Sequence, residues 1–178
     1  MPVPKYLPHY TLSDYRSWEG DWELWDGVAV SMSPSPFGRH QKWLAELTYR
    51  IIGHLKAAKC DDCEVLIECD WIIDEDTVLR PDLSIVCGTT TDGHIRVTPT
   101  LIIEVLSDGT RDKDRTAKRA RYAAAGVRHY LMSDPKDGTT ERLELDDQNR
   151  YQNRTGSIAP IELHTHCQLP ADILATSN

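Results

Sequence analysis

The sequence predicts an α/β domain built on a mixed β-sheet flanked by helices, with a β-hairpin near its N-terminal end. Three observations predict it. Asp26-Gly27 stands between two short apolar runs, a strong hairpin signal because both central turn residues need positive φ. The segment from about 40 to 59 repeats apolar residues at helical spacing. Leu83–Cys87, Leu101–Leu106 and Val127–Ser133 are short apolar runs bounded by turn residues, as strands are. Hairpin, helix, strands, helix, strand and a terminal β region is the order of an α/β domain with a mixed sheet.

The elements follow in chain order. Trp22–Trp25 and Val28–Met32 are the arms of the hairpin, ended by a loop at Ser33–Gly38. In the first long helix Leu44, Leu47, Ile51, Leu55 and Ala58 form one apolar stripe, and Lys42, Glu46 and Arg50 take the solvated face. A strand is expected from Cys63 to Ile73, with Val65, Ile67, Cys69 and Trp71 on one side and Glu64, Glu68 and Asp70 facing solvent. Asp74–Thr77 is a turn, Arg80-Pro81-Asp82 leads into Leu83–Cys87, and Thr89–Gly93 is a loop. Pro99-Thr100 opens Leu101–Leu106, whose β-branched content suits a buried strand, and Ser107–Thr110 breaks it. A second helix runs from about Arg111 to Ala125, closed by Gly126 in a left-handed cap. Asp134-Pro135 stops the strand Val127–Ser133. A polar hairpin around Asp146–Asn149 and an irregular end containing Leu163–Leu169 complete the chain.

A length of 178 residues suits one domain, expected to span 1–178. No stretch approaches the roughly 18 to 20 apolar residues of a membrane span. The N-terminal segment lacks the build of a secretory signal, so a cytoplasmic protein without a membrane partner is expected. Five cysteines, an odd number in a reducing compartment, point to free thiols. The net charge of -8 argues against a surface that clings to nucleic acid everywhere. It leaves room for a metal site, which is itself acidic.

One residue breaks the pattern of the most apolar run. Glu104 sits mid-strand, on the face of Ile102 and Leu106, and a buried ionised carboxylate is costly unless paired or bound to metal. Asp82 stands at the mouth of the neighbouring strand. If those strands pair, two oxygen donors converge, and such donors with water and phosphate are what Mg²⁺ accepts. A metal so held polarises a phosphodiester and activates water. A lysine would stabilise the developing charge. Position 106 is leucine, but Lys118 lies on the following helix, sharing a face with Arg115 and Tyr122.

The strings Arg80-Pro81-Asp82, Pro99 to Ser107, Asp114 to Lys118 and Tyr122 to Val127 resemble the Uma2 family, as do Trp22–Gly27, Met32-Ser33-Pro34 and His40. The resemblance covers about residues 11 to 135 and leaves a β-rich extension at 136–178. It implies a restriction-endonuclease-like fold related to the PD-(D/E)XK nucleases, with Asp82 and Glu104 as the metal-binding acids and Lys118 as a lysine relocated from position 106. It implies Mg²⁺ or Mn²⁺ as cofactor and a nucleic acid, DNA first, as substrate. Glu23 matches a recurrent acid, a candidate further ligand. His40 matches a recurrent histidine of unassigned role. Asp108-Gly109 and His129-Tyr130-Leu131 depart from the family's usual Pro-Ser and Glu-Tyr-Trp without removing an acid or the lysine.

Blander readings stand beside these. Asp82 alone reads as a turn residue after proline, and Lys118 as a surface partner of Asp114 at i,i+4. Arg115 is a weak candidate phosphate contact within the basic stretch 111–121, which is equally a solvated helix face. Cys60 and Cys63 have zinc-knuckle spacing, with His164, His166 and Cys167 as further ligands, but one CxxC is a weak signal. The tryptophans read as core and lid packing. An enzyme that cuts two strands would suit a homodimer. The rival from another class is a non-catalytic nucleic-acid-binding or protein-interaction module that keeps the nuclease fold, since fold alone does not imply function.

Overall fold

The hairpin forms where Asp26-Gly27 demands it: Asp26 and Gly27 have φ of 48° and 80°, joining β1 (Trp22–Trp25) to β2 (Val28–Ser31). The structure, a computed structural model, describes residues 8–32 and 38–174; most of the loop expected at Ser33–Gly38 lies outside the described residues. A four-residue helix α1 (Leu12–Tyr15), closed by a Thr11–Asp14 capping box, precedes the hairpin. A small sheet of order β2-β1-β5-β4 contains the hairpin with β4 (Trp71–Ile72) and β5 (Val78–Leu79).

The main sheet has six strands in the order β10-β9-β8-β7-β6-β3. These are β3 (Cys63–Ile67), β6 (Leu83–Cys87), β7 (Leu101–Val105), β8 (His129–Ser133), β9 (Thr140–Leu145) and β10 (Tyr151–Asn153). Only β7 and β8 run parallel, and the helical crossover between them makes the sheet mixed. Alternation along β7 assigns its two faces: Ile103 and Val105 join the core under the first long helix, and Ile102 joins the core on the other side.

That helix, α2, spans Gly38–Ala57, and its stripe Leu44, Leu47, Ile51 and Leu55 is buried, each side chain adding about 1.5–3 kcal/mol. Ala58 falls beyond its end, and Glu46 pairs with Arg50 on the solvated face. The opposite face carries the second helical rod, α3, over residues 111–124: Arg111–Lys113 and Arg119–Ala124 are α-helical, and Asp114–Lys118 between them is a π turn. Gly126, at φ 81°, ends it. Trp25 and Trp71 are buried in this second core, and Trp18 packs on Tyr10 and Tyr15.

Four expectations are corrected. The single strand Cys63–Ile73 is two strands in different sheets, because Glu68 adopts φ 47° and turns the chain between them. Asp70 is consequently buried against Arg80 instead of facing solvent, and Ile67 is exposed. The free-thiol expectation fails for all but Cys69. Antiparallel register sets Cys63 opposite Cys87, and Cys60 meets Cys167, so both pairs form disulfides and the Cys60 and Cys63 sulfurs are each bonded to another cysteine. The irregular end is a third sheet, the hairpin β11 (Ile161–His164) and β12 (Cys167–Leu169), which closes over the α2 core. Among the described residues no helix is long and apolar enough to cross a membrane.

Candidate active site

The pairing of β6 with β7 sets the two acids. Leu83 faces Ile103, so the register, continued by one residue, brings Asp82 opposite Glu104. The Val105 N–H donates to Asp82 Oδ2 at 2.7 Å, and the Asp82 N–H faces Glu104 Oε2 at 3.5 Å. Glu104 is 1% exposed; its Oε1 accepts from Lys118 Nζ at 2.9 Å and from the Tyr122 hydroxyl at 2.5 Å. The buried acid therefore has its partner, supplied from α3.

Lys118 is nearly sealed from solvent. Besides Glu104 it meets Glu23 Oε1 at 3.4 Å and the Arg80 carbonyl at 3.4 Å. The ammonium donates hydrogen bonds to Glu104 and the Arg80 carbonyl and forms an ion pair with Glu23. Glu23 comes from β1, where the Arg80 N–H and the Trp25 indole hold its two oxygens. The hairpin thus delivers an acid to the site. Lys118 was a surface lysine on spacing alone; α3 instead lays it beneath the β6–β7 acids.

His40, near the start of α2, contacts Asp82 Oδ2 at 3.1 Å through Nε2, while its buried Nδ1 meets no partner among the described residues. Arg115 points elsewhere: it is exposed and pairs with Glu141. Two more cations of the basic stretch are similarly engaged, Arg111 with Asp134 and Arg121 with Asp26.

Asp114 was missed as a site residue. It is 1% exposed, its Oδ2 meets no donor, and it lines the same pocket of about 480 Å³ as Glu23, His40, Asp82, Glu104 and Lys118. The spacing of Asp114, Lys118 and Tyr122 held the signal. Four residues overshoot one α-helical turn by about 40°, so this row would drift around an α-helix. The wider π turn takes up that drift, and all three side chains are buried on one face.

The electrostatics follow from the count of charges. Burial works to lower the Lys118 pKa, but Glu104, Glu23, Asp114 and Asp82 together hold it well above its ordinary value. Burial pushes the Glu104 carboxyl well up; Lys118 opposes this, while Asp82 and Asp114 add to it. Asp114 is pushed up to about 6, chiefly by burial. Burial works the same way on Asp82, but the His40 contact, the Lys118 charge and the Val105 N–H outweigh it and hold that pKa low. Four acids face one lysine and one histidine.

Oxygen donors in negative excess fit a hard divalent cation such as Mg²⁺ or Mn²⁺. Among the described residues no three His, Cys, Asp or Glu side chains stand together as a ready cage. The Lys118 ammonium lies where their charges meet.

A family model, Uma2, described as "Putative restriction endonuclease", matches residues 12–165. The fold is shared with a solved structure, that of a putative nuclease belonging to DUF820 from Anabaena variabilis ATCC 29413. The two superpose with a TM-score of 0.68 at 18% identity, covering 92% of this chain and 96% of that one. None of the curated proteins matches the sequence.

Proposed function

The chain belongs to the Uma2 family, and we propose that its acidic pocket is the active site of a metal-dependent nuclease that hydrolyses phosphodiester bonds in DNA. The observation that carries this reading is the buried charge imbalance: Glu23, Asp82, Glu104 and Asp114 surround a single lysine in a cavity open to substrate. A structural ion pair needs one acid per base, and surplus buried carboxylates are expensive unless a cation joins them. Asp82 and Glu104 are the residues to hold Mg²⁺ or Mn²⁺, with Glu23 behind them. The metal supplies a Lewis acid for the phosphate and a lowered pKa for an attacking water. Lys118, held in its charged form, offers fixed positive charge where the phosphorane develops, without reorganisation at the moment of reaction. His40 and the Val105 N–H orient Asp82. Tyr122 does the same for Glu104.

One observation favours the rival, a non-catalytic binding or interaction module: acids neutralise Arg111, Arg115 and Arg121 on the helix that would face a phosphate backbone. Calorimetric titration with Mn²⁺, beside plasmid nicking with and without EDTA, separates the two. Metal binding with EDTA-sensitive nicking is expected. A folded protein that takes up no divalent ion and cuts neither DNA nor RNA would hand the case to the module.

A further inference from the structure

The pocket holds a second puzzle that the nuclease reading leaves open: why one carboxylate oxygen of Asp114 has no donor, although Thr110 hydrogen-bonds that carboxylate. Asp114 Oδ2 is sealed from solvent and meets no donor, although Lys118 lies one helical turn away on the same face. The ammonium senses the Asp114 charge but sits beyond ion-pair distance, held instead by hydrogen bonds to Glu104 and the Arg80 carbonyl and by an ion pair with Glu23. An orphaned buried carboxylate oxygen costs free energy and calls for a partner in some other state of the molecule. We propose that Lys118 is the pocket's stand-in cation and Asp114 its second berth: Lys118 neutralises Glu104 before a divalent ion arrives, and turns to Asp114 when that ion takes the Asp82 and Glu104 oxygens.

This rests on the metal-dependent reading of the site and adds a positioning role that neither the spacing nor the family resemblance supplied. It accounts for three separate facts. Among the described residues no three ligand side chains stand together as a metal cage, as an ammonium seated between the acids would require. The Asp114 oxygen has no donor, because its donor is engaged elsewhere. The π turn keeps Asp114, Lys118 and Tyr122 in one row, so that the lysine moves along the row without unwinding the helix. Exchanging one cation for another keeps the buried charge compensated throughout, which matters because a stranded buried charge is costly.

The test is a double-mutant cycle on Mn²⁺ affinity, measured by calorimetry, which needs no substrate. Wild type is titrated first; a folded protein that binds no Mn²⁺ overturns the nuclease reading, and this inference with it. Lys118→Met removes the competitor and is expected to bind Mn²⁺ about tenfold more tightly. Asp114→Asn strands the displaced ammonium and is expected to weaken Mn²⁺ about tenfold. In the Lys118→Met background the same Asp114→Asn change is expected to alter affinity less than twofold. Equal weakening in both backgrounds would make Asp114 a direct ligand and overturn the berth. No weakening in either would overturn it too, as would looser Mn²⁺ binding by Lys118→Met. If Asp114→Asn does not fold, the ¹⁵Nζ signal of Lys118 in wild type decides: a large shift on adding Mg²⁺ is expected, and an unmoved signal sinks the exchange.

Discussion

Two buried charge clusters lie side by side in this molecule, and they differ in one respect. Around Arg80 the charges balance: its guanidinium bonds the buried Asp70 at 2.6 Å, the Tyr15 hydroxyl closes on the same acid at 2.8 Å, and its second acid, Asp21, is 68% exposed and solvated. Around Lys118 they do not. Three buried acids and the half-buried Asp82 share one ammonium and the His40 ring, and one carboxylate oxygen of Asp114 has no donor among the described residues. The Arg80 cluster ties α1 and the small sheet to the strand that leads into Asp82. The Lys118 cluster ties nothing that a single salt bridge would not tie as well. Balanced burial reads as construction and unbalanced burial as function, because only a site that expects another cation gains from the surplus.

The sharpest way to break this contrast is to remove one charged group from each cluster, an acid from one and the base from the other. Glu104→Gln keeps size and polarity but removes the charge that holds metal. Nuclease rate should fall by about a hundredfold or more in plasmid nicking, the scale seen when a preorganised catalytic group is lost. Thermal unfolding should show that stability is held or raised, since burial opposes the charged form of Glu104. Arg80→Met should behave the other way. It leaves Asp70 buried without its guanidinium and should cost about 3–5 kcal/mol in urea unfolding. If Glu104→Gln unfolds the protein while Arg80→Met is silent, the division between the clusters is wrong.

A smaller effect distinguishes them by pH. The Asp114 carboxyl is pushed up from 3.8 to about 6 in the folded chain. Between those values the native state binds more protons than the unfolded state, so this group lowers stability as pH rises, and the penalty is complete above pH 6. Asp114→Asn removes the penalty. The variant should exceed wild type in stability by up to about 3 kcal/mol at pH 7, with the gap closing below about pH 4. Asp82, held low, works in the opposite sense and loses its contribution only in stronger acid. Urea unfolding from about pH 2 to pH 8 checks both signs.

Periodicity exposes whatever depends on one strand or one helix. Leu83–Cys87 and the α2 stripe stand where alternation and helical spacing put them, and Asp26-Gly27 turns as its residues require. Even the pairing of Asp82 with Glu104 follows once the two strands are set antiparallel. What stayed hidden depends on several segments at once. The left-handed Glu68 breaks what alternation presents as one continuous strand, and so the burial of Asp70 was invisible. The Cys63–Cys87 and Cys60–Cys167 bridges arise from strand register and from a hairpin at the far end of the chain, neither of which a cysteine count contains. Asp114 looked like half of an ordinary i,i+4 surface pair. Only the π turn, which no propensity scale marks, shows both residues to be buried beneath the β6–β7 acids.

The least of the expected effects tests where nucleic acid meets the unbalanced cluster. Most cations on α3 are spoken for, Arg111 by Asp134, Arg115 by Glu141 and Arg121 by Asp26. Lys113 and Arg119 have no ion pair among the described residues, and of the two Lys113 is exposed and lines the mouth of the acidic pocket. A phosphate approaching Asp82 and Glu104 would pass it. Lys113→Ala should therefore weaken DNA binding only modestly and equally for different sequences, and should flatten the salt dependence of binding by about one counterion. Glu46→Gln, out on the solvated face of α2, is the control; it should leave DNA affinity alone and shift stability by less than about 0.5 kcal/mol. Fluorescence anisotropy with a labelled duplex at several salt concentrations reads both variants. An unchanged slope in Lys113→Ala would mean that DNA enters from another side, and the balanced rim of α3 would then be a wall of the pocket and not its approach.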